Sequence, residues 1–398
     1  MTAVIIPVPL AIILVACVLI AAAIDLASVR REPRLKREVP TLLSRGRPAP
    51  LRLTVDRQRS VRVRQPIPQH FAIEDPEGDG AVDTTITALR RGRHLLLGAA
   101  TKTTGPLGLA ARHHRLGEAM EIRVYPDVHA AYRMVEALRR SRGGEQARLA
   151  RGPLGLGTDF ESLRDYSPDD DIRQVNWRAT ARLGRPMSNQ YRIERDRDVI
   201  CLLDAGRLMA SPIQERTRLD AAVDAVAALA AVADELDDRC GVIAFDSEVR
   251  RELAPRRRGT AAVLKAVFDL EPSNSDSDYE LAFRAVGTGK RSLVVVLTDL
   301  LDEAAARSLL DAVPILVRHH AVVVAGSKDT DLEHLLDRPP VVPNDLYESA
   351  VALQVVEERA KVAARLQAAG AAVVDVPPQS LGSACVSQYL RAKARARL

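Results

Sequence analysis

Two aspartates stand at the ends of long apolar runs, where their carboxylates could bind a hard cation. Asp204 closes "VICLLD" and Asp299 closes "VVVLTD". The carboxyl ends of strands in an open α/β sheet meet along one edge, so two such carboxylates could share one oxygen-coordinated ion. The alternative is that each aspartate caps a helix, which is a very common use of this residue. The spacing alone favours helix capping.

A second polar constellation lies in "DYSPDDDIRQVNWRATAR", residues 165–182. No His lies nearby and no Ser or Cys sits in a GxSxG elbow, so the segment does not indicate acid/base or nucleophilic catalysis. We interpret it as a charged network that anchors a loop or contacts a partner, with Trp177 as a core residue or an interface anchor. The predicted members of this network, with two residues that follow it, are Asp169, Asp170, Arg173, Trp177, Arg178, Thr180, Arg182, Arg195 and Asp196.

Apolar runs alternate with helical periods through residues 151–398. "VICLLD" precedes a helical pattern over residues 216–238, and "RSLVVVLTD", "HAVVVAG" and "AAVVDVP" follow with helical segments between them. Repeated strand–helix–strand order is typical of a mostly parallel sheet that is covered on both faces. The pattern therefore predicts a doubly wound α/β domain over residues 151–398.

The first 29 residues contain an apolar run, residues 3–24, without a single charge. At 1.5 Å per residue the run is roughly 33 Å long, enough to cross a hydrocarbon layer of about 30 Å. A cleaved signal peptide is the alternative, but no basic residue precedes the run and its apolar core is too long. The run predicts a single-pass transmembrane helix over residues 1–29, in the plasma membrane.

Positive charge is concentrated directly after this run. Residues 30–64 contain twelve Arg and Lys against three acids, whereas the whole chain has a formal net charge of only +5. The positive-inside rule then predicts the N-terminus outside and the following domains in the cytoplasm. Attraction to anionic lipid accounts for the basic stretch without nucleic acid, and an aromatic content of 3% leaves few residues for base stacking.

Short alternating segments separated by Gly, Pro and Asp clusters occupy residues 30–127. They predict a small antiparallel, immunoglobulin-like β-sandwich, followed by a helix and linker over residues 128–150. The four cysteines, Cys17, Cys201, Cys240 and Cys385, lie far apart and show no metal-binding spacing. We interpret them as buried free thiols.

The segment "GTDFESLRDYSPDDDIRQVNWRATARLGRPMSNQYRIERDRDVICLLD", residues 157–204, resembles the signature of the family called domain of unknown function 58. The resemblance implies a membrane anchor, an irregular β domain and a C-terminal domain similar to von Willebrand factor type A. Proteins of this family often carry a two-helix hairpin before the β domain, whereas this sequence predicts one span.

The resemblance also implies a place for a metal ion. Type A domains bind Mg²⁺ through an Asp-x-Ser-x-Ser loop, a Thr and a further Asp; Asp204 and Asp299 match the two aspartates, and Ser277 falls where the Thr would be. Gly206 and Leu208 replace the two serines, so two hydroxyl ligands are missing. Since Mg²⁺ requires near-octahedral oxygen coordination, we expect a degenerate site at which Mg²⁺ is optional and no cofactor is required.

These inferences together predict a non-catalytic, membrane-anchored adaptor. By the family resemblance its partner would be a MoxR-type AAA+ ATPase, in an envelope-related assembly or maturation task. The alternative is a metal-dependent hydrolase or phosphoryl-transfer enzyme that uses the Asp204/Asp299 pair.

Overall fold

A computed structural model divides the chain into two units, Met1–Tyr125 and Pro126–Leu398. The structure describes residues 8–56, 61–141, 159–167, 175–192, 198–213, 216–300 and 306–394.

In its described residues the first unit contains one long helix and three small sheets. Its helix α1 is Val8–Ser28. Its strands are β1 Leu35–Glu38, β2 Leu42–Ser44, β3 Pro48–Val55, β4 Val61–Arg64, β5 Phe71–Ile73, β6 Glu77–Asp79, β7 Ala81–Ala88, β8 Gly92–Leu96, β9 Ala99–Thr104, β10 Ala111–Leu116 and β11 Met120–Tyr125. The sheet orders are β1-β3-β7-β5, β10-β9-β4-β6 and β2-β11-β8.

This arrangement corrects the predicted two-sheet antiparallel sandwich. The strands alternate as expected, since Leu51, Leu53 and Val55 of β3 are buried while the residues between them are exposed. However, β2 pairs with β11 in parallel, with Leu43 opposite Val124. Alternation shows which face of a strand is buried but not which strand lies beside it, so a pair about 80 residues apart could not be predicted from the pattern.

The predicted transmembrane helix is also wrong. Among the described residues, no helix is long and apolar enough to cross a membrane. Residues 3–7 of the predicted span lie outside the described part of the chain. The topology that we derived from this span no longer has a basis.

A carboxylate buried near the end of α1 attaches this helix to the turn between β9 and β10. Asp25 is 0% exposed and accepts hydrogen bonds from the backbone N–H groups of Leu107, Leu109 and Ala110 at 2.9, 2.7 and 2.7 Å. The Asp25 carboxylate lies so close to the backbone of Gly105 that a Cβ on this residue would be 2.2 Å from Asp25 Oδ1. The Leu107 hydrogen bond, with those of the other two amides, outweighs burial and lowers the pKa of Asp25 below its ordinary 3.8.

This carboxylate gives the first unit a defined pH dependence. Because the folded-state pKa is depressed, the stabilisation by Asp25 is complete above pH 3.8 and is lost as the pH falls through the folded value.

Asp25→Asn removes the charge and places an amide donor among three N–H donors. We expect roughly tenfold faster hydrogen exchange at Leu107, Leu109 and Ala110 at neutral pH. The control is Asp83→Asn, whose carboxylate is exposed; equal exchange in both variants would contradict the assignment.

The second unit is an α/β domain. Its helices are α2 Val128–Ser141, α3 Trp177–Leu183, α4 Arg218–Glu235, α5 Thr260–Val267, α6 Tyr279–Val286, α7 Arg307–His319, α8 Thr330–Asp337, α9 Pro343–Ala368 and α10 Leu381–Ala394. Its strands are β12 Asp159–Asp165, β13 Met187–Arg192, β14 Asp198–Asp204, β15 Pro212–Ile213, β16 Arg216–Thr217, β17 Arg239–Phe245, β18 Val249–Arg256, β19 Leu293–Leu297, β20 Ala321–Ser327 and β21 Ala372–Val376.

Six strands form one sheet in the order β18-β17-β14-β19-β20-β21. All neighbours in it are parallel except the edge strand β18, which pairs antiparallel with β17. Successive side chains of a strand point to opposite faces, so the sheet contributes to two cores. One core contains α2, α4, α5 and α10, and the other contains α6, α7 and α9.

Three of the four cysteines lie in one of these cores. Cys201, Cys240 and Cys385 are buried free thiols in the core that contains α4, whereas Cys17 is exposed on α1. Burial raises the pKa of Cys385 to about 12, so this thiol is protonated at neutral pH.

Candidate functional site

Three adjacent parallel strands end in carboxylates at one edge of the sheet. Asp204 is the last residue of β14, Asp246 directly follows β17, and Asp299 comes two residues after β19. They are 2%, 3% and 4% exposed. We predicted Asp204 and Asp299 from the sequence and missed Asp246, although "VIAFD" has the same apolar run ending in aspartate.

The carboxylate of Asp204 accepts four hydrogen bonds. Its Oδ1 accepts from the N–H of Gly206 at 2.8 Å and from the hydroxyl of Ser277. Its Oδ2 accepts from the hydroxyls of Tyr279 at 2.8 Å and Thr298 at 2.6 Å. The structure thus joins Asp204 to the predicted Ser277 and adds two hydroxyl donors that the sequence did not indicate.

Helix α6 carries Tyr279 to this carboxylate. Asp278 is the N-cap and its side chain accepts from the N–H of Leu281 at 2.9 Å, so the helix starts at Tyr279 and directs the phenol to the sheet edge. Burial, together with the negative charge of Asp204, raises the pKa of Tyr279 well above its usual value. The phenol is therefore protonated at neutral pH and acts as a donor.

Gly206 allows the Ser277 hydroxyl to reach Asp204. A Cβ at residue 206 would lie 2.2 Å from Ser277 Oγ and 3.0 Å from the carbonyl oxygen of Ser275. The two loops are also joined by the N–H of Arg207, which donates to Ser275 O at 2.9 Å. The absence of a side chain at position 206 thus leaves space for the Ser277 hydroxyl, and Leu208 lies in a short 3-10 turn, Arg207–Ala210.

The carboxylate of Asp299 is bound by two buried arginines. Its Oδ1 lies 3.1 Å from Nη1 of Arg218 and 2.8 Å from Nη1 of Arg359. Both arginines also donate to the carbonyl oxygen of Ser327, at 2.6 and 3.1 Å, and Arg359 reaches Asp375 at 2.9 Å. These contacts connect the ends of β19, β20 and β21.

Two helices place these arginines at the edge. Arg218 is the first residue of α4, and the helix start is fixed by a capping box in which Thr217 and Asp220 each accept from the other's backbone N–H. Arg359 lies on the buried side of α9, with Ala352, Val362 and Leu366. Burial lowers the pKa of both guanidiniums, but for Arg359 the charges of Asp299 and Asp375 outweigh it and the pKa is raised.

The charges around Asp299 oppose a Mg²⁺ ion there. A divalent cation bound to this carboxylate would meet the guanidinium groups of Arg218 and Arg359. Within the part of the chain that the structure describes, no group of three or more His, Cys, Asp or Glu residues could hold a metal ion. No specific contact among these residues therefore favours the alternative of a metal-dependent hydrolase at the Asp204/Asp299 pair.

The signature segment is described only in part. Trp177, Arg178, Thr180 and Arg182 lie on α3, which has no buried residue over its described length, and Trp177 is 68% exposed. The helix is capped by Asn176, whose side chain accepts from the N–H of Ala179 at 2.9 Å. Trp177 is thus not a core residue. The remaining predicted members lie outside the described residues: Asp169, Asp170, Arg173, Arg195 and Asp196.

Fold and site define the second unit as an open α/β domain whose polar cluster lies at the carboxyl edge of a mostly parallel sheet. A model of the family described as "Protein of unknown function DUF58" matches residues 162–373, more than half of the chain. The chain belongs to this family, which confirms the family that the sequence predicted. The similarity to von Willebrand type A domains stays a prediction.

Two solved structures are similar only at a low level. A point mutant of the PilB minor pilin from Streptococcus sanguinis has 8% sequence identity and a TM-score of 0.35, over 85% of this chain and 89% of its own. A cohesin module from Clostridium perfringens ATCC13124 family 33 glycoside hydrolase has 10% identity and a TM-score of 0.17, over 24% of this chain and 97% of its own. At these scores neither supports a functional inference. No curated protein matches the chain.

The close approach at Gly206 gives a stability prediction. Gly206→Ala should destabilise the protein by about 1–3 kcal/mol, because the new methyl group must displace Ser277. The cost should fall by about 1 kcal/mol when Ser277→Ala is already present, since the colliding hydroxyl is then gone. Urea unfolding measures both values, with Gly289→Ala as the control because nothing lies within 4 Å of a Cβ there. Equal costs in both backgrounds would refute the steric explanation.

The arginine pair gives a second prediction. Asp299→Asn should destabilise the protein by about 3 kcal/mol, because it leaves two buried guanidiniums without their shared counter-charge. Asp329→Asn is the matched control, since its carboxylate is 26% exposed and lies 3.8 Å from Arg218, and it should cost less than about 1 kcal/mol.

Neither millimolar Mg²⁺ nor EDTA should change the melting temperature of the unsubstituted protein. A clear stabilisation by Mg²⁺ would contradict the charge argument.

Proposed function

We propose that this protein is a non-catalytic adaptor that binds a protein partner at the carboxyl edge of its α/β domain, independently of metal. The observation that carries this proposal is an exposed apolar surface on a helix that extends past that edge. The carboxylates of Asp204, Asp246 and Asp299 at that edge have fixed positions, because each is already bound to other groups of the domain.

Helix α9 extends well beyond the sheet. Arg359 marks the level of the carboxyl edge, where it contacts Asp299 and the end of β20. From Arg359 back to Pro343 the helix is about 24 Å long at 1.5 Å per residue. Among the residues described before Arg359 in this helix, the only buried one is Ala352, and α8 packs beside it without a buried residue of its own. We call α8 and the first half of α9, residues 330–353, the helical arm.

Large apolar side chains of the arm are exposed. Tyr347 is 71% exposed, Leu346 60% and Leu353 50%. Leu346, Ala350 and Leu353 are spaced four and three residues apart, so they lie along one side of the helix. Val341, two residues before this helix, is 80% exposed. An apolar stripe of this kind, bordered by charged residues, is typical of a protein–protein contact.

Charge supports a specific kind of partner. Residues 328–348 contain six acids and two basic residues, although the whole chain has a net charge of +5. An acidic border around an apolar stripe favours a partner surface that is apolar at its centre and basic at its rim. Trp177, exposed on α3, is a further aromatic anchor of the type found at interface hot spots.

For the partner we propose a MoxR-type AAA+ ATPase, acting with this protein in envelope-related assembly or maturation. Membership of the family supports this choice, because the resemblance of the signature segment implied the same partner. The stripe on the arm is the surface that we assign to the contact.

Binding of a purified MoxR-type ATPase to the intact protein tests this proposal. The double substitution Leu346→Ser with Tyr347→Ser should weaken binding at least tenfold, as expected of hot-spot residues, with little change in thermal unfolding since both side chains are exposed. The matched control is Ile315→Ser on α7, which is 58% exposed and should bind normally.

The possible outcomes distinguish a wrongly assigned binding surface from a wrongly assigned partner. If the unsubstituted protein binds the ATPase and the arm variant binds equally well, the arm is the wrong surface. If the unsubstituted protein does not bind the ATPase, the partner is wrong.

A further inference from the structure

One side of helix α3 carries an aromatic ring and two guanidiniums. At about 100° per residue, Trp177, Arg178 and Arg182 fall within a sector of about 140°, with Ala181 between them. All four residues are exposed, whereas Thr180 on the opposite side of the helix is partly buried. We call the side with Trp177, Arg178 and Arg182 the α3 face.

Hydrogen bonds on the opposite side fix α3 to β13. The N–H of Asn176 donates to the carbonyl oxygen of Met187 at 2.8 Å, and the N–H of Met187 donates to Thr180 Oγ1 at 3.0 Å. The side-chain amide of Asn176 also donates to Asn189 Oδ1 at 2.8 Å while its oxygen caps the helix. The asparagine and threonine of the signature segment therefore hold the helix in place. A surface that is fixed in this way loses little conformational freedom when a partner binds.

The two guanidiniums of the α3 face have no acidic partner in the part of the chain that the structure describes. The next arginine along the chain, Arg185, is instead paired with Asp165 at 3.3 Å. Residues four apart on a helix are neighbours, with about 5–6 Å between their Cβ atoms, so Arg178 and Arg182 can act on one ligand together. Trp177 lies beside them, and Trp and Arg are among the residues most enriched at interface hot spots.

The charge of the α3 face is opposite to that of the arm. Residues 177–185 contain three arginines and no acid, whereas residues 328–348 contain six acids and two basic residues. A partner surface with the basic rim that suits the arm would be repelled by the α3 face. The α3 face therefore fits a different partner, which is acidic.

A short acidic segment fits this face better than a nucleic acid. Nucleic-acid sites typically contact on the order of six to ten phosphates, which requires a longer run of positive charge than two arginines. They also stack successive bases on several aromatic rings, whereas Trp177 is the single tryptophan of the chain.

We propose that the α3 face binds an extended acidic segment of a second protein partner. Alternate residues of an extended segment lie about 6.5 Å apart on one side, so two carboxylates separated by one residue match the spacing of Arg178 and Arg182. Each guanidinium can bind a carboxylate through two parallel hydrogen bonds. An apolar residue next to the acids would cover the ring of Trp177. This contact goes beyond the one proposed for the arm and does not depend on it.

The fluorescence of the intact protein tests this contact, because its single tryptophan lies on the α3 face. Titration at low salt with the peptide acetyl-Gly-Leu-Glu-Ser-Glu-Gly-amide should shift the emission to shorter wavelength, since the leucine covers the indole ring. We expect a dissociation constant below about 1 mM. The same peptide with both Glu residues replaced by Gln should leave the emission unchanged, because it has lost the charges that the arginines bind.

Substitutions locate the binding. Arg178→Gln with Arg182→Gln should weaken binding of the acidic peptide at least tenfold, with little change in thermal unfolding because both side chains are exposed. The matched control is Arg251→Gln with Arg256→Gln on β18, which removes the same charge from two exposed positions in the same domain and should bind normally.

Two kinds of result would overturn the proposal. One is an unchanged emission at millimolar acidic peptide, or equal binding of this peptide by the two double variants. The other is tighter binding of an oligothymidylate than of the peptide, which would identify the α3 face as a nucleic-acid site. No ATPase is present in this titration, so its result is separate from the test of the arm.

Discussion

The two arginines that bind Asp299 connect the helices on both faces of the α/β domain to the carboxyl edge of its sheet. Arg218 belongs to α4, which packs in one core of the sheet, and Arg359 belongs to α9, which packs in the other. Both donate to the carbonyl oxygen of Ser327 at the end of β20. One carboxylate and one carbonyl thus tie the layers on both faces to the sheet between them. A buried cluster of this kind is weak evidence for net stability, but removing one member is costly, so the edge has one defined geometry.

The same cluster determines what chemistry the edge can perform. Asp204 has its lone pairs occupied by a backbone N–H and three hydroxyls, and Asp299 has its charge balanced by guanidiniums. Arginine supplies permanent positive charge beside the Asp299 carboxylate. The edge is therefore pre-organised by contacts within the domain, whereas the apolar stripe of the arm and Trp177 are exposed.

Part of this arrangement could be predicted from the sequence. "VICLLD" is an apolar run that ends in aspartate, and β14 ends at Asp204. The family could be predicted because its signature segment is one continuous stretch of sequence, and the family match over residues 162–373 confirms it. What periodicity could not supply were the long-range partners. Arg218 reads as an ordinary residue in the first turn of a helix, because nothing local shows that Asp299 lies beside it.

Two further contacts could not be predicted from local patterns. No such pattern shows that the Ser277 hydroxyl fills the space beside Gly206. Hydropathy averages over a window and does not register the three backbone amides that bind the carboxylate of Asp25. Helix α9 has a further geometrical property. About 24 Å of it lies on the arm side of Arg359 and about 14 Å on the side that ends beside Gly370. If this helix tilted about Arg359, the tip of the arm would therefore move nearly twice as far as the opposite end of the helix.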